Sequence, residues 1–252
     1  MKDINAFFSS KNTVKQVTEA DTKKLANYLE AIKAFARTTN KSVYVIDYEK
    51  KGFEYVSDNP LFLSGYSTQE VEEMGYEFFF KQVPEKDLDL LLKINTVGFD
   101  FYDKLPIQDR KEYTISYDFH LKTEKGKAIL IHQKLTPIFL NETGKIWKAI
   151  CIVSLSSQQK SGNVTIYKND GSEVFQYDLQ GDFWKSLQKV ELSDREKEIL
   201  QHSIQGYSIN EIAEQLFISP DTVKFHRKKL FEKLDVANIS EAISHATANK
   251  LI

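Results

Sequence analysis

From Val223 to Leu230 the chain reads V-K-F-H-R-K-K-L, so Lys224, Arg227, Lys228 and Lys229 crowd together around one aromatic, Phe225. This chemistry suits a polyanion. Cationic side chains neutralise phosphates and release their counterions. An aromatic on such a face needs a partner, and apolar contact with a thymine methyl would supply one. The bland alternative is a solvated basic face with Phe225 tucked against its own domain. Val223, Leu230 and Leu234 recur at helical spacing and should face a core, which leaves positions 221, 224, 225, 228 and 232 largely on the other side. Catalytic chemistry has no comparable foothold. The chain carries no Gly-rich phosphate loop, no H-E-x-x-H, no G-x-S-x-G and no paired cysteines, so no enzyme, catalytic residue, metal or cofactor is expected.

Three helices must position this cluster, and each carries its own signals. Ser193 is a good N-cap with Glu196 at the capping-box offset; Ile199 and Leu200 follow, and Gly206 suits a left-handed stop. Ser208 caps the next helix with Glu211, and Ile212, Ala213 and Leu216 point inward. Phe217 and Ile218 make the turn. Ser219 then caps a third helix with Pro220 at its first position, where a missing N–H costs nothing. Asp194, Glu196 and Asp221 fall in first turns, as the helix dipole prefers. The arrangement is a helix-turn-helix whose third helix, 219–234, presents the basic cluster, with its N-terminal N–H groups available to a phosphate.

The segment from Leu192 onward resembles the LuxR-type (GerE-like) helix-turn-helix domain. The matching residues are L-S-D-R-E-x-E-I-L at 192–200, Gly206, Glu211-Ile212-Ala213, Leu216, I-S-x-x-T-V-K-x-H at 218–226 and K-L at 233–234. The resemblance implies that Thr222 contacts a phosphate or completes the cap, and that Lys224 and Lys228 approach the backbone or base edges. Phe225 falls at a base-contacting position, and His226 is structural or phosphate-facing. A fourth helix, Ser240 to about Asn249, would form a dimer contact. Asp235 stands where the family has Gly, in a left-handed turn, and Ile239 stands where an Arg is common. The DNA-binding residues expected are Ser208, Ser219, Thr222, Lys224, Phe225, Arg227, Lys228 and Lys229.

The 252 residues have a net charge of −2, and 41% are hydrophobic, which suits two globular domains rather than a nucleic-acid sponge. Residues 186–252 hold nine Lys/Arg against ten Asp/Glu, so any polyanion binding must come from a local patch. The single cysteine, Cys151, excludes a disulfide framework and a cysteine-built zinc cluster. No signal peptide and no apolar run of membrane length are evident, so a cytoplasmic protein without a membrane partner is expected.

Residues 1–40 read as an arm, loose or docked, with a Phe7-Phe8 knot, then a helix from Asp21 with a stripe of Leu25, Tyr28, Leu29, Ile32 and Phe35. Strands are predicted at 42–48 and 52–56, and short helices at 60–63, 68–74 and 78–81. A longer helix over 86 to about 96 follows, then long antiparallel strands at 112–121, 127–138 and 145–155, the last apolar on both faces. Such a sheet needs two covers, the short helices and either the 21–38 stripe or a second subunit. This order, with Y-V-S-D-N at 55–59, L-S-G-Y-S at 63–67 and V-P-E-K-D at 83–87, resembles a PAS sensor domain over 41–157. A linker over 158–189 should hold a hairpin around Asn169-Asp170-Gly171 and a helix at 182–190, and the reader then occupies 190–252.

The fold class expected is therefore an α+β PAS-like domain followed by an all-α four-helix reader. The flavin-binding cysteine and haem-binding histidine that some PAS relatives carry are absent from the corresponding segments. His120 and His132 read as satisfied strand histidines, and Cys151 as a packed thiol. Tyr113, Tyr117 and Phe119 either line a small-molecule pocket or fill a core. A phosphorylated receiver, which needs alternating β-α units, and a sigma-factor-like piece fit the strand-rich front less well. The resemblances imply a transcription regulator acting as a homodimer on a near-palindromic double-stranded DNA operator, with a small-molecule or protein signal at the front domain. The alternative is an interaction or dimerisation module without specific DNA readout.

Overall fold

The computed structural model describes residues 3–14, 27–187, 191–248 and 251–252. The chain divides into two compact units, Met1–Leu187 and Gln188–Ile252. The first is an α+β unit built on one antiparallel sheet, and the second is all-α.

Within the described part of the arm, Phe7 is buried against Tyr76, Phe79 and Phe80, so the arm is docked. The Asn12 and Asn95 amides both donate to the Phe7 carbonyl, at 2.6 and 2.7 Å. Helix α1 spans Tyr28–Thr38; residues 21–26 of the longer helix expected there, Leu25 included, lie outside the described residues. Strands β1 (Ser42–Asp47) and β2 (Gly52–Val56) follow. Next come α2 (Pro60–Leu63), capped by Asn59, and α3 (Thr68–Met74), opened by a Ser67–Glu70 capping box. Helix α4 (Glu77–Gln82) leads to α5 (Glu85–Lys104), which runs a full two turns beyond the expected end near 96. The extension has a packing reason. Phe99 and Tyr102 continue the buried stripe, and Gly98 lies against the sheet where a Cβ would meet Ile115 Cδ1 at 3.0 Å. The helix ends before Pro106, which disfavours helical geometry in the residue before it.

Strands β3 (Tyr113–Lys122), β4 (Ala128–Leu140) and β5 (Ile146–Leu155) come next. The element order over 28–155 is the one the PAS resemblance implies, and this unit is PAS-like. The hairpin expected around Asn169-Asp170-Gly171 is present as β6 (Gly162–Lys168) paired with β7 (Val174–Asp178). One expectation fails: in place of a helix at 182–190 the chain forms a further strand, β8 (Phe183–Leu187), and the three strands extend the sheet to the order β2-β1-β5-β4-β3-β6-β7-β8. The reason is packing: Trp184 lies 5.2 Å from Phe101 and 4.9 Å from Tyr177, and this anchors an extended segment whose alternate side chains face outward. Residues 188–190 lie outside the described residues.

The sheet's inner face meets an aromatic core. Tyr44 stacks on Phe62 at 4.4 Å, and Phe53, Phe78, Phe79 and Phe119 pack around them. Each such burial stabilises by about 1.5–3 kcal/mol. On the outer face, Lys148 lies directly across from Asp47 in the β1–β5 register, fully buried. Its ammonium donates to Asp47 Oδ2 at 2.7 Å and Glu54 Oε2 at 2.5 Å. Tyr28, in the first turn of α1, hydrogen-bonds Glu54 and packs edge-on against Phe139 at 5.1 Å. Tyr28 and this charged cluster thus tie α1 to the outer face, whereas the stripe expected to cover the sheet is not closed over: no residue of α1 is fully buried, and Phe35 is 45% exposed. Among the described residues, no helix is long and apolar enough to cross a membrane.

Candidate nucleic-acid interface

The second unit holds α6 (Asp194–Ile204), α7 (Ile209–Gln215), α8 (Pro220–Leu234) and α9 (Ile239–Ala248). The caps are those the sequence predicts. Ser193–Glu196 and Ser208–Glu211 form reciprocal capping boxes, and the Ser219 hydroxyl accepts from the Thr222 N–H at 3.1 Å. Gly206 takes the left-handed conformation at φ 87°, and Asp235 takes it at φ 52° after α8. Asn238 accepts from the Glu241 N–H at 3.0 Å and so starts α9 at Ile239, one residue before the expected Ser240. Ile199, Ile212, Ala213 and Val223 form one core, and Leu192, Leu200, Leu230, Leu234, Ala242 and Ala246 form another. Between them they fix α8 rotationally.

That rotation sorts the basic cluster. Lys224, Phe225, Lys228 and Lys229 are exposed, and Phe225 is 54% accessible. Arg227 is half-buried beside that face, with its guanidinium 5.8 Å from the Phe231 ring, and burial lowers its pKa from the usual value. Of the exposed cations, Lys224 pairs with Asp221 at 2.9 Å and Lys228 with Glu232 at 3.8 Å. Solvent-exposed pairs within a helix are worth only about 0.3–0.5 kcal/mol, so either ammonium can turn to a phosphate at little cost. Lys229 lies over the Phe225 ring at 4.6 Å, which presents ring and charge as one unit.

At the front of α8, the Thr222 hydroxyl lies 2.8 Å from the Ser219 hydroxyl, so Thr222 completes the cap. Ser208 caps α7, and its hydroxyl keeps a proton to donate elsewhere. Phe217 takes a left-handed conformation at φ 53° with its ring 94% exposed, in the turn that delivers α8. The position is one where Gly is favoured, and among the described residues the ring has no aromatic partner.

The helices are locked by a contact that sequence reading missed. Glu196, buried on α6, accepts from Lys233 of α8 at 2.7 Å while serving the Ser193 cap; Lys233 also donates to the Glu191 carbonyl at 3.0 Å. Burial opposes ionisation of Glu196, but Lys233 and the Ser193 N–H and hydroxyl outweigh it and hold its pKa below the usual value. Its stabilising effect is therefore complete above the unfolded-state pKa and fades as pH falls through the lower folded-state one. We expect the helical far-UV signal of Glu196→Gln to show a unit about 1–2 kcal/mol less stable at neutral pH, with the difference from the native chain narrowing below about pH 4.5. A difference that is constant across that range would remove Lys233 from the account.

In the PAS-like unit, the three aromatics read as lining a pocket or filling a core have different partners. Tyr117 and Phe119 adjoin, at 6.0 Å between rings, whereas the Tyr113 hydroxyl is drawn away to Glu173 at 2.9 Å and its pKa is raised to about 12, by burial first and then by that carboxylate. The inner face also carries a relay. Tyr44 donates to Gln133 Oε1 at 2.7 Å, and Gln133 Nε2 donates to the Tyr117 hydroxyl at 2.6 Å. Burial pushes the adjoining Cys151 thiol well up, so it carries no thiolate at neutral pH. His120 and His132 pair with Asp87 and Asp118 at 2.7 and 3.0 Å.

Residues 190–246 match the family of bacterial regulatory proteins, luxR family. Over 66 residues, 26% of this chain and 31% of the relative, the sequence is 47% identical to the CsgBAC operon transcriptional regulatory protein of Escherichia coli (strain K12). Over 61 residues, 24% of this chain and 25% of the relative, it is 48% identical to the HTH-type quorum-sensing regulator RhlR of Pseudomonas aeruginosa. The chain thus spans less than a third of the length of these curated relatives. A crystal structure of the phage VqmA–DPO complex is similar over 89% of this chain and 90% of that one, at 18% identity and a TM-score of 0.33.

Proposed function

We propose that this chain, whose residues 190–246 form a luxR-family helix-turn-helix domain, is a sequence-specific DNA-binding transcription regulator controlled by its PAS-like unit. The observation that carries the reading is the exposed face of α8. Phe225 stands out into solvent among Lys224, Lys228 and Lys229, behind a capped helix front. Placed in a major groove, that face gives Phe225 a base edge to read. Lys224, Lys228 and the Ser208, Ser219 and Thr222 hydroxyls approach the backbone. Arg227 acts through its stack on Phe231, as a support for the helix rather than a phosphate ligand.

The regulator works as a cytoplasmic homodimer on a near-palindromic operator, with half-sites about one helical turn apart. Its PAS-like unit responds to a small-molecule or protein signal and alters how the two readers are presented. No catalysis is required of it.

Selection of genomic fragments on the immobilised full-length protein tests this directly: a two-fold motif should emerge. On that motif, Lys228→Ala should weaken binding and reduce the slope of log K against log salt by about one unit. Enrichment of no motif, with retention that salt abolishes equally for every fragment, would favour an interaction module that merely tolerates DNA.

A further inference from the structure

The far edge of the PAS-like sheet is unusual. Strand β8 pairs with β7 in regular register over all five of its residues, from Asp178↔Phe183 to Val174↔Leu187, and ends the sheet. Among the described residues no strand lies on its other side. Proteins blunt such edges with proline, bulges or free charge. Strand β8 (F-W-K-S-L) has no proline and no bulge, and its one charge, Lys185, is held by Asp178 at 2.6 Å. Asp178 is a full carboxylate there, since Lys185 and the Gly181 and Gln180 N–H groups lower its pKa to about 2. Trp184 fastens the strand to the core from one face, while Phe183 and Leu187 project from the other, 49% and 40% exposed.

We propose that β8 pairs antiparallel with β8 of a second copy, about a two-fold axis through Lys185, so that the two sheets join edge to edge. This rests on the dimeric reading above and names its interface. The strand is complementary to itself in three respects. Its free N–H and C=O groups meet an identical unpaired row. Phe183 of one copy lies opposite Leu187 of the other, on the same face, as an aromatic–aliphatic cross-strand pair. The two Lys185 side chains meet at the axis, each neutralised by its own Asp178, so the junction brings two positive and two negative charges together.

The reach also suits two readers. In such a pair the two Leu187 residues stand about 14 Å apart, four strand residues at roughly 3.4 Å each. Leu187 and the start of α6 at Asp194 are seven residues apart. Whatever its conformation, that chain can span up to about 24 Å on each side. Half-sites about 34 Å apart are within range. Five residues a side bury less than the roughly 1,200 Å² of a stable interface. The pair therefore forms at micromolar concentration and tightens when DNA holds both readers.

The test is cysteine cross-linking of the full-length chain, with buried Cys151 left in place. Opposed residues in an antiparallel pair lie about 4.5–5.5 Å apart, within disulfide range. Lys185→Cys should oxidise to a covalent dimer. Phe183→Cys should not do so alone, but should cross-link when mixed with Leu187→Cys. Phe183→Lys/Leu187→Lys should be monomeric by native mass spectrometry with its far-UV signal unchanged. A dimer that persists in that double variant, or Phe183→Cys cross-linking to itself as readily as to Leu187→Cys, overturns the interface. Motif-specific DNA retention without the Lys185→Cys dimer would sink the interface and leave the DNA reading standing. The cross-linked dimer without specific retention would uphold the interface and sink the DNA reading.

Discussion

Replacing Lys148 by Met is expected to destabilise the PAS-like unit by about 3–5 kcal/mol, the cost of stranding a buried charge. Asp47 and Lys148 are each 2% exposed at the side chain, and Glu54, at 19%, takes the ammonium's second bond. Without Lys148, Asp47 keeps the Glu49 and Lys50 N–H donors on Oδ1, at 2.9 and 3.1 Å, but Oδ2 loses its ammonium inside the protein. Both tryptophans, Trp147 and Trp184, belong to this unit, so denaturant unfolding followed by tryptophan fluorescence reports it alone. The midpoint should fall steeply while the helical signal of the reader persists. Neutralising the partners as well, in Lys148→Met/Asp47→Asn/Glu54→Gln, should recover most of the loss, because replacing a whole buried ion cluster is far milder than halving it. A loss in the single variant below about 1 kcal/mol would mean that water reaches the cluster. The interaction would then belong with surface pairs.

The second large effect concerns Phe225. Phe225→Ala should erase discrimination at one operator position, worth about 1–3 kcal/mol, while the salt slope stays within error of the native protein. A methyl-specific control makes the assignment sharp. Replacing the thymine at that position by deoxyuridine should weaken the native protein and leave Phe225→Ala indifferent. An unchanged base preference would return Phe225 to a packing role with Lys229, whose ammonium already rests on its ring. The contrast with Lys228→Ala is the point of the pair: one substitution moves specificity and the other moves electrostatics.

The reader was legible because its determinants are local. A cap and its N3 partner are three residues apart, and a stop glycine follows its own helix. Ser193–Glu196, Ser208–Glu211, Ser219–Pro220 and Gly206 can each be read within one turn of chain, and all behave as read. The apolar period placed Val223, Leu230 and Leu234 inward for the same reason. Composition could not say which cations of the cluster stay exposed, because Arg227 sits at the margin of the stripe and only the nearby Phe231 ring draws it back. In the front unit, the strands at 42–56 and 113–155 showed in their alternation and turns. The segment at 183–187 misread as a helix because five residues are too few to separate the two periods.

What the sequence by itself determined, then, is the set of local choices: which segments are helices and strands, where they start and stop, and that one helix carries a basic, aromatic-bearing face. Tertiary structure alone decided which charges are buried and which faces are free. Lys148 finds Asp47 across 101 residues and Glu54 across 94, and Glu196 finds Lys233 across 37. Strand β8 becomes an edge only because β7 holds it and no described strand pairs with its other side. Hydrogen bonds within a turn are set by neighbouring residues. The dielectric around a charge and the vacancy beside a strand depend on everything the rest of the chain brings there.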